Sequence, residues 1–241
     1  MNLRVAGSSR ADAIRGVREV LKDLATLVWP VMCVGCGDAN REICERCLED
    51  LRGASPRTVT SQLAEVPSYA RGPYTGVLRS MVIAYKHGGR VGFARPLGEQ
   101  LAHPLARAMS HAQTSPLLIA APSRSAQVRR RGFRHVEAAI RVANRVAPDP
   151  APLVRALRST RGRQGQVGLD ASARAANASR VVVRRRYRSA LRGREVILVD
   201  DILTTGATVR AAAEVLRAVG ARVVAVALLA TVAYEGTPDN S

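Results

Sequence analysis

The sequence predicts an α/β fold: a mostly parallel β-sheet flanked by helices, with a small four-cysteine knuckle ahead of it. Three observations predict it. Short continuous apolar runs at 117–121, 196–199 and, after Arg222, 223–230 read as strands buried on both faces. Between them lie segments with apolar residues at helical spacing, which alternates strand with helix. All four cysteines fall within residues 33–47, before the first of these runs.

The 241 residues are enough for one α/β domain and a small appendage. Near the N-terminus Ile14, Val17, Leu21, Leu24 and Val28 recur at helical spacing among charged residues, so residues 1–30 are expected to hold one amphipathic helix packed on the body. The knuckle is assigned to 31–52 and the α/β domain to 60–234. Within that domain, 69–74 reads as a strand pair or a strand and turn, and 76–85 as a helix closed by Gly88 and Gly89. A helix is expected at 93–109, with Leu97, Leu101, Leu105 and Ala108 on one side. The strand 117–121 ends at Pro122, and a helix follows over 135–146, stopped by Pro148 and Pro150. Residues 157–177 are rich in Arg, Gly and Gln and read as a mobile loop. An edge strand is expected over 181–187, a turn at 191–194, and a frayed tail over 235–241.

No run of about eighteen apolar residues occurs and no signal-peptide core opens the chain, so no membrane span and a cytoplasmic location are expected. Cys33-Val-Gly-Cys36 and Cys44-Glu-Arg-Cys47 are two C-x₂-C knuckles, spaced to form one tetrahedral site. Structural Zn²⁺ is the simplest occupant. Two disulfides or a single-iron centre are the alternatives, and a reducing compartment disfavours the disulfides. With no cysteine outside the cluster, a catalytic thiol is not expected.

The segment with the most chemical content is 196–208. Four apolar residues lead to Asp200 and Asp201 at the expected strand end, and Thr204-Thr205-Gly206-Ala207-Thr208 then opens a helix. A helix N-terminus presents free N–H groups and a positive dipole end to an anion. Hydroxyls of Thr204, Thr205 and Thr208 add donors, and Gly206 admits a close backbone approach. The two carboxylates suit sugar hydroxyls or a bound Mg²⁺. A phosphate cradle beside an acidic pair points to a ribose-5-phosphate ligand.

This segment resembles the signature of type I phosphoribosyltransferases for phosphoribosyl pyrophosphate (PRPP): four apolar residues, an acidic pair, two apolar residues and a hydroxyl-rich loop around Gly. In order along about residues 25–232, the chain further resembles the ComF family, which pairs an N-terminal Cys₄ zinc finger with such a domain. Cys33, Cys36, Cys44 and Cys47 match the finger, and Tyr85-Lys86-His87-Gly88-Gly89 matches a Y-K-F/H-x-G segment. Pro122 through Arg131-Gly132-Phe133 matches P…R…R-G-F-N-Q, and Gln166, Leu169, Arg174 and Asn177 match a Q…L…R…N loop. Arg134-His135 stands where the pattern has Asn-Gln, and Ser179-Arg180 where it has Ala-Phe.

The resemblance implies PRPP with Mg²⁺ as ligand, structural zinc, and a role in DNA uptake and natural competence. It makes Asp200 and Asp201 the ribose-binding and catalytic pair, and gives the 5′-phosphate to Thr204–Thr208. Lys86, Ser123, Arg124 and Arg131 become the candidates facing pyrophosphate. His87 and His135 read equally as ordinary surface or helix histidines and as acid–base groups.

Charge opens a second reading. The chain carries +18, and residues 124–194 alone hold 19 arginines against Glu137, Asp149 and Asp170. Such a field attracts polyphosphates, single-stranded DNA or other nucleic acid. The alternative is therefore a non-catalytic nucleic-acid binder that senses PRPP. A nucleobase-salvage enzyme is a weaker alternative, because a zinc knuckle and a basic loop are not expected of one. Scarce aromatics (one Trp, two Phe, five Tyr) argue against base stacking on single strands.

Overall fold

Strands buried on both faces organise the molecule, seen in a computed structural model that describes residues 31–53, 57–59, 65–123, 125–160 and 180–232. In chain order the regular elements are α1 (Glu45–Gly53), β1 (Arg57–Val59), β2 (Ser68–Pro73), α2 (Gly76–His87), α3 (Ala94–Met109), β3 (Leu117–Ala120), α4 (Ser125–Arg131), α5 (His135–Val146), β4 (Leu157–Thr160), β5 (Arg180–Val183), α6 (Arg188–Leu191), β6 (Glu195–Leu203), α7 (Ala207–Arg217) and β7 (Arg222–Thr231). The expected N-terminal helix and the tail lie outside the described residues.

Five strands form one sheet in the order β1-β2-β7-β6-β3. β2, β7, β6 and β3 run parallel, while β1 pairs antiparallel at the edge. The sheet thus begins at Arg57, ahead of the expected domain start at 60. Strand β6 is flanked by β7 and β3 and buried on both faces, which is why 196–199 reads as an unbroken apolar run. One face carries Leu118, Ile197, Val199, Ala225, Ala227 and Leu229 under α2, α3 and α5. The other carries Ile119, Val196, Leu198, Val226 and Leu228 under α7 and the β4–β5 hairpin.

These two faces locate the ligand site. The chain leaves β3 towards the α5 face and leaves β6 towards the α7 face. Adjacent strands whose connections depart to opposite faces leave a crevice at their carboxyl ends. The crevice therefore lies between the residues after β3 and those after β6.

Close packing fixes the helices on the first face. Gly98 of α3 lies against α5 so tightly that a Cβ there would stand 2.4 Å from Val142 Cβ and 2.8 Å from the Ala139 carbonyl oxygen. The knuckle helix α1 is tied to β2 by Arg71, which is 2% exposed. Its Nε donates to Gln100 Oε1 at 2.7 Å, and its Nη2 donates to the Leu51 carbonyl and, at 3.1 Å, to the Arg52 carbonyl. A guanidinium at these carbonyls also complements the negative end of the α1 dipole.

Three expectations need correction. The acidic pair does not end β6; the strand continues through it, with Ile202 and Leu203 still paired to β7. Residues 157–160, expected as the start of a mobile loop, form strand β4 instead. They pair with β5, and Leu157, Val181 and Val183 are buried together. The rest of the expected loop, with Gln166, Leu169, Arg174 and Asn177, lies outside the described residues. The strand expected over 181–187 stops at Val183 and gives way to a 3₁₀ turn at Arg185–Tyr187. Helix α4, with no buried residue, had no apolar periodicity to announce it. Among the described residues, no helix is long and apolar enough to cross a membrane.

Candidate functional site

Beyond Leu203 the chain turns through Thr204 and Thr205, both exposed, into Gly206 at φ 71°. That left-handed conformation suits glycine and lets α7 start at Ala207. The Thr205 hydroxyl accepts from the Ala207 N–H at 3.4 Å, and Arg210 Nη2 donates to the Thr205 carbonyl at 2.7 Å. The turn is thus braced from α7, with the helix N-terminus and the exposed Thr208 opening beside it.

The two carboxylates occupy different environments. Asp201 is 7% exposed. Its Oδ2 lies 2.9 Å from Lys86 Nζ and takes a short hydrogen bond from His135 Nε2, while its Oδ1 accepts from the Ile202 N–H at 2.7 Å. Arg131 Nη1 lies 2.9 Å from His135 Nδ1. A guanidinium can only donate, so Nδ1 must accept, which places the imidazole proton on Nε2, aimed at Asp201. The His135 carbonyl in turn accepts from the Tyr85 hydroxyl at 3.0 Å. Arg131, His135, Asp201 and Lys86 form one hydrogen-bonded chain. α2, α4, α5 and β6 each supply one of its members.

Asp200 is half-buried and makes no ion pair among the described residues. Its Oδ1 accepts from the Asp201 N–H at 2.8 Å. Burial, then the neighbouring Asp201 charge, push the Asp200 carboxyl up to about 8. Burial also opposes ionisation of Asp201, but the His135 hydrogen bond and the Lys86 charge outweigh it and hold that carboxyl below the usual range. One acid of the pair is a fixed anion. The other has no paired cation among the described residues, and a cation or a hydrogen-bond donor would ease its ionisation.

Other candidates fall as follows. Lys86 and Arg131, expected to face pyrophosphate, are engaged with Asp201 and His135. Ser123 lines a separate pocket beside the end of β3. Arg124 lies outside the described residues. Sequence reasoning did not single out Tyr85 as a support and left His135 undecided. The signal available for His135 was its position, where the family pattern places a polar Gln.

A second cluster precedes the sheet. Sγ atoms of Cys33, Cys36, Cys44 and Cys47 all lie within 4.8 Å of one another. Cys33 and Cys47 are 3.8 Å apart, and Cys36 and Cys44 are 3.6 Å apart. A tetrahedron with metal–sulfur bonds of about 2.3 Å has sulfur–sulfur edges of about 3.8 Å, so the set fits one closed four-sulfur ion. Burial opposes ionisation of Cys33, yet backbone N–H groups of Cys36, Cys44 and Gly35 bring its pKa down to about 6. A Cβ on Gly35 would stand 2.6 Å from Cys47 Sγ, so the turn admits only glycine without displacing a sulfur.

No curated protein matches the chain. Among solved structures, an allosteric regulatory enzyme of purine biosynthesis is 19% identical over 56% of this chain, with a TM-score of 0.36; the chain spans 26% of its length. Adenine phosphoribosyltransferase from Rhodothermus marinus is 18% identical, covering 78% of this chain and 88% of that one, with a TM-score of 0.37. The corresponding protein from Thermoanaerobacter pseudethanolicus is 16% identical, with coverages of 74% and 84% and a TM-score of 0.36. The model of the phosphoribosyl transferase domain family matches residues 128–240, a span that contains α5, β6, the acidic pair, the Thr-Gly turn and α7. Over residues 128–240 the chain is therefore similar to the phosphoribosyl transferase domain family.

Proposed function

We propose that the chain binds PRPP with Mg²⁺ in the crevice after β3 and β6, and that its reaction class is phosphoribosyl transfer with release of pyrophosphate. The observation that carries this reading is the division of labour in the acidic pair. Asp201 is paired with Lys86 and hydrogen-bonded by His135, while Asp200 stays half-buried beside the Thr204–Thr208 turn with no ion pair among the described residues. A carboxyl whose ionisation is opposed by burial and by its neighbour fits a site completed by sugar hydroxyls and a divalent cation. Asp200 would hold the ribose hydroxyls or the Mg²⁺ that arrives with PRPP. The α7 N-terminus and the three threonines would hold the 5′-phosphate. Ser123 and Arg124 would face the pyrophosphate. When bound, Mg²⁺ would supply positive charge to the pyrophosphate oxygens. The chain's own part is to orient the ribose against Asp200 and keep Asp201 fixed behind it.

The Cys₄ cluster is read as a structural zinc site, since four sulfurs close the shell and leave no position for chemistry. A Cys₄ cluster ahead of a phosphoribosyl transferase domain also supports a ComF-type role in DNA uptake or processing. The second reading, a nucleic-acid binder that senses PRPP, is favoured by the exposed arginines Arg185, Arg186 and Arg188 in the basic middle segment. Phosphate-dominated binding must weaken steeply with salt, so a salt-independent DNA isotherm removes that reading.

Calorimetry of PRPP·Mg²⁺ binding tests the main reading. Wild type should bind, Asp200→Asn should bind at least about tenfold more weakly, and the double variant with Asp201→Asn should not bind. Equal binding by all three overturns it.

A further inference from the structure

Helix α2 (Gly76–His87) joins the four-sulfur knuckle to the acidic pair. In its first turn the half-buried Val77 packs on the buried Cys33, Cys44 and Cys47, with Ile43 beside it. The contact is close: a Cβ built on Gly35 would stand 3.2 Å from Val77 Cγ2 and 2.6 Å from Cys47 Sγ. In its last turn Lys86 Nζ reaches Asp201 Oδ2 at 2.9 Å, and the Tyr85 hydroxyl donates to the His135 carbonyl at 3.0 Å. Val77 and Lys86 are nine positions apart, about 13.5 Å along a helix axis. Val77, Met81 and Tyr85 recur every four residues and so share one stripe of the helix.

The first turn of α2 depends on the knuckle for support. Thr75, at the N-cap, makes no side-chain capping bond. An uncapped start leaves backbone N–H groups without partners and frays readily. The chain after α2 is tied to the knuckle as well: Arg90 Nη1 donates to the Met32 carbonyl at 3.5 Å, and its Nε lies 3.9 Å from Glu42 Oε1. The knuckle itself has little apolar material, three buried cysteines with Ile43 and Val77 against them. So short a segment keeps its shape through its metal. Loss of the ion would therefore free Val77, while Leu78, Met81, Val82 and Tyr85 still hold α2 to the core.

We infer that Val77 is a positioning residue for the acidic pair: through it the metal-filled knuckle holds the first turn of α2, and so sets Lys86 and Tyr85 against Asp201 and His135. Filling the four-sulfur site and closing the Lys86–Asp201 contact are then coupled equilibria, and such coupling is reciprocal. The inference rests on the knuckle holding zinc and not on the PRPP reading.

The test is amide hydrogen exchange of the full chain by mass spectrometry, with zinc bound and after its removal by a chelator, each state checked by metal analysis. Removing zinc should speed exchange over residues 76–87 by about fivefold or more and leave α7 unchanged. With zinc still bound, Val77→Ala should speed exchange at the last turn of α2, and the conservative Val77→Ile should keep the wild-type rate. Reciprocity gives a second readout. Lys86→Met should weaken zinc binding by about fivefold or more in competition with a chromogenic chelator. Glu195→Gln, a buried substitution at the start of β6, should leave zinc binding unchanged. Zinc loss without faster exchange in α2, equal acceleration of α2 and α7, or equal zinc affinity in wild type and Lys86→Met overturns the inference while the zinc reading stands. A chain that binds no zinc overturns both.

Discussion

Replacing Lys86 by Met should destabilise the protein through one buried carboxylate. Lys86 Nζ stands 2.9 Å from Asp201 Oδ2, with side-chain exposures of 19% and 10%. At that separation and an effective dielectric near 20, the gross attraction is about 6 kcal/mol. Both groups give up water to reach each other, and Asp201 keeps His135 and the Ile202 N–H as partners. The net loss should therefore resemble that of one hydrogen bond to a charged group, about 2–3 kcal/mol. With a urea m-value of about 2–3 kcal/mol/M, the unfolding midpoint should fall by roughly 1 M. A double-mutant cycle isolates the pair: Lys86→Met, Asp201→Asn and both together, each unfolded in urea without metal or ligand added. Coupling of about 1 kcal/mol or more is expected. If the single effects add to the double within about 0.5 kcal/mol, Lys86 does not hold Asp201 and the division of labour in the acidic pair fails with it.

Three further outcomes are expected. Glu195, 2% exposed, accepts from the Gln113 and Thr114 N–H groups and the Thr114 hydroxyl at 2.8–2.9 Å, and these bonds hold its carboxyl below its ordinary value although burial opposes them. Its stabilisation is present above the ordinary glutamate range and lost as pH falls through the folded value, so Glu195→Gln should flatten the acid limb of a stability–pH curve; an unchanged limb contradicts this. Zinc should be found at one equivalent per chain by metal analysis and lost in Cys47→Ala; chelation should also lower Tm, because Arg71 couples α1 to β2. Gly98→Ala forces a Cβ to 2.8 Å from the Ala139 carbonyl oxygen and should cost about 1–3 kcal/mol, read as a Tm drop of roughly 2–12 °C; a neutral result means that α3 and α5 can part without penalty.

Strand β6 and the helices around it were legible because their signals are local. β6 is buried on both faces, so its core stretch had to be continuously apolar, and α5 has bounds of His135–Val146, as its apolar spacing and the prolines after it predict. The knuckle was legible because each C-x₂-C turn brings two sulfurs together and both turns lie within residues 33–47. β4 was not: its four residues include two polar ones and an arginine, and they become a strand only because β5, beyond a long arginine-rich segment, returns to pair with them.

By itself the sequence determined the α/β class, the order of strand and helix around β6, the acidic pair with its Thr-Gly turn, and the four sulfurs. Each depends on residues close together in the chain, where periodicity, turn chemistry and ligand spacing act directly. Only the tertiary structure decided that Asp201 is paired with Lys86 while Asp200 has no ion pair among the described residues, and that α2 touches both the knuckle and Asp201. His135 and Asp201 stand 66 residues apart in the chain, and their contact exists because neighbouring parallel strands deliver their carboxyl ends to one edge of the sheet. Charge and composition count side chains; which of them share a low-dielectric cleft, and so alter one another's ionisation, depends on the packing of distant elements.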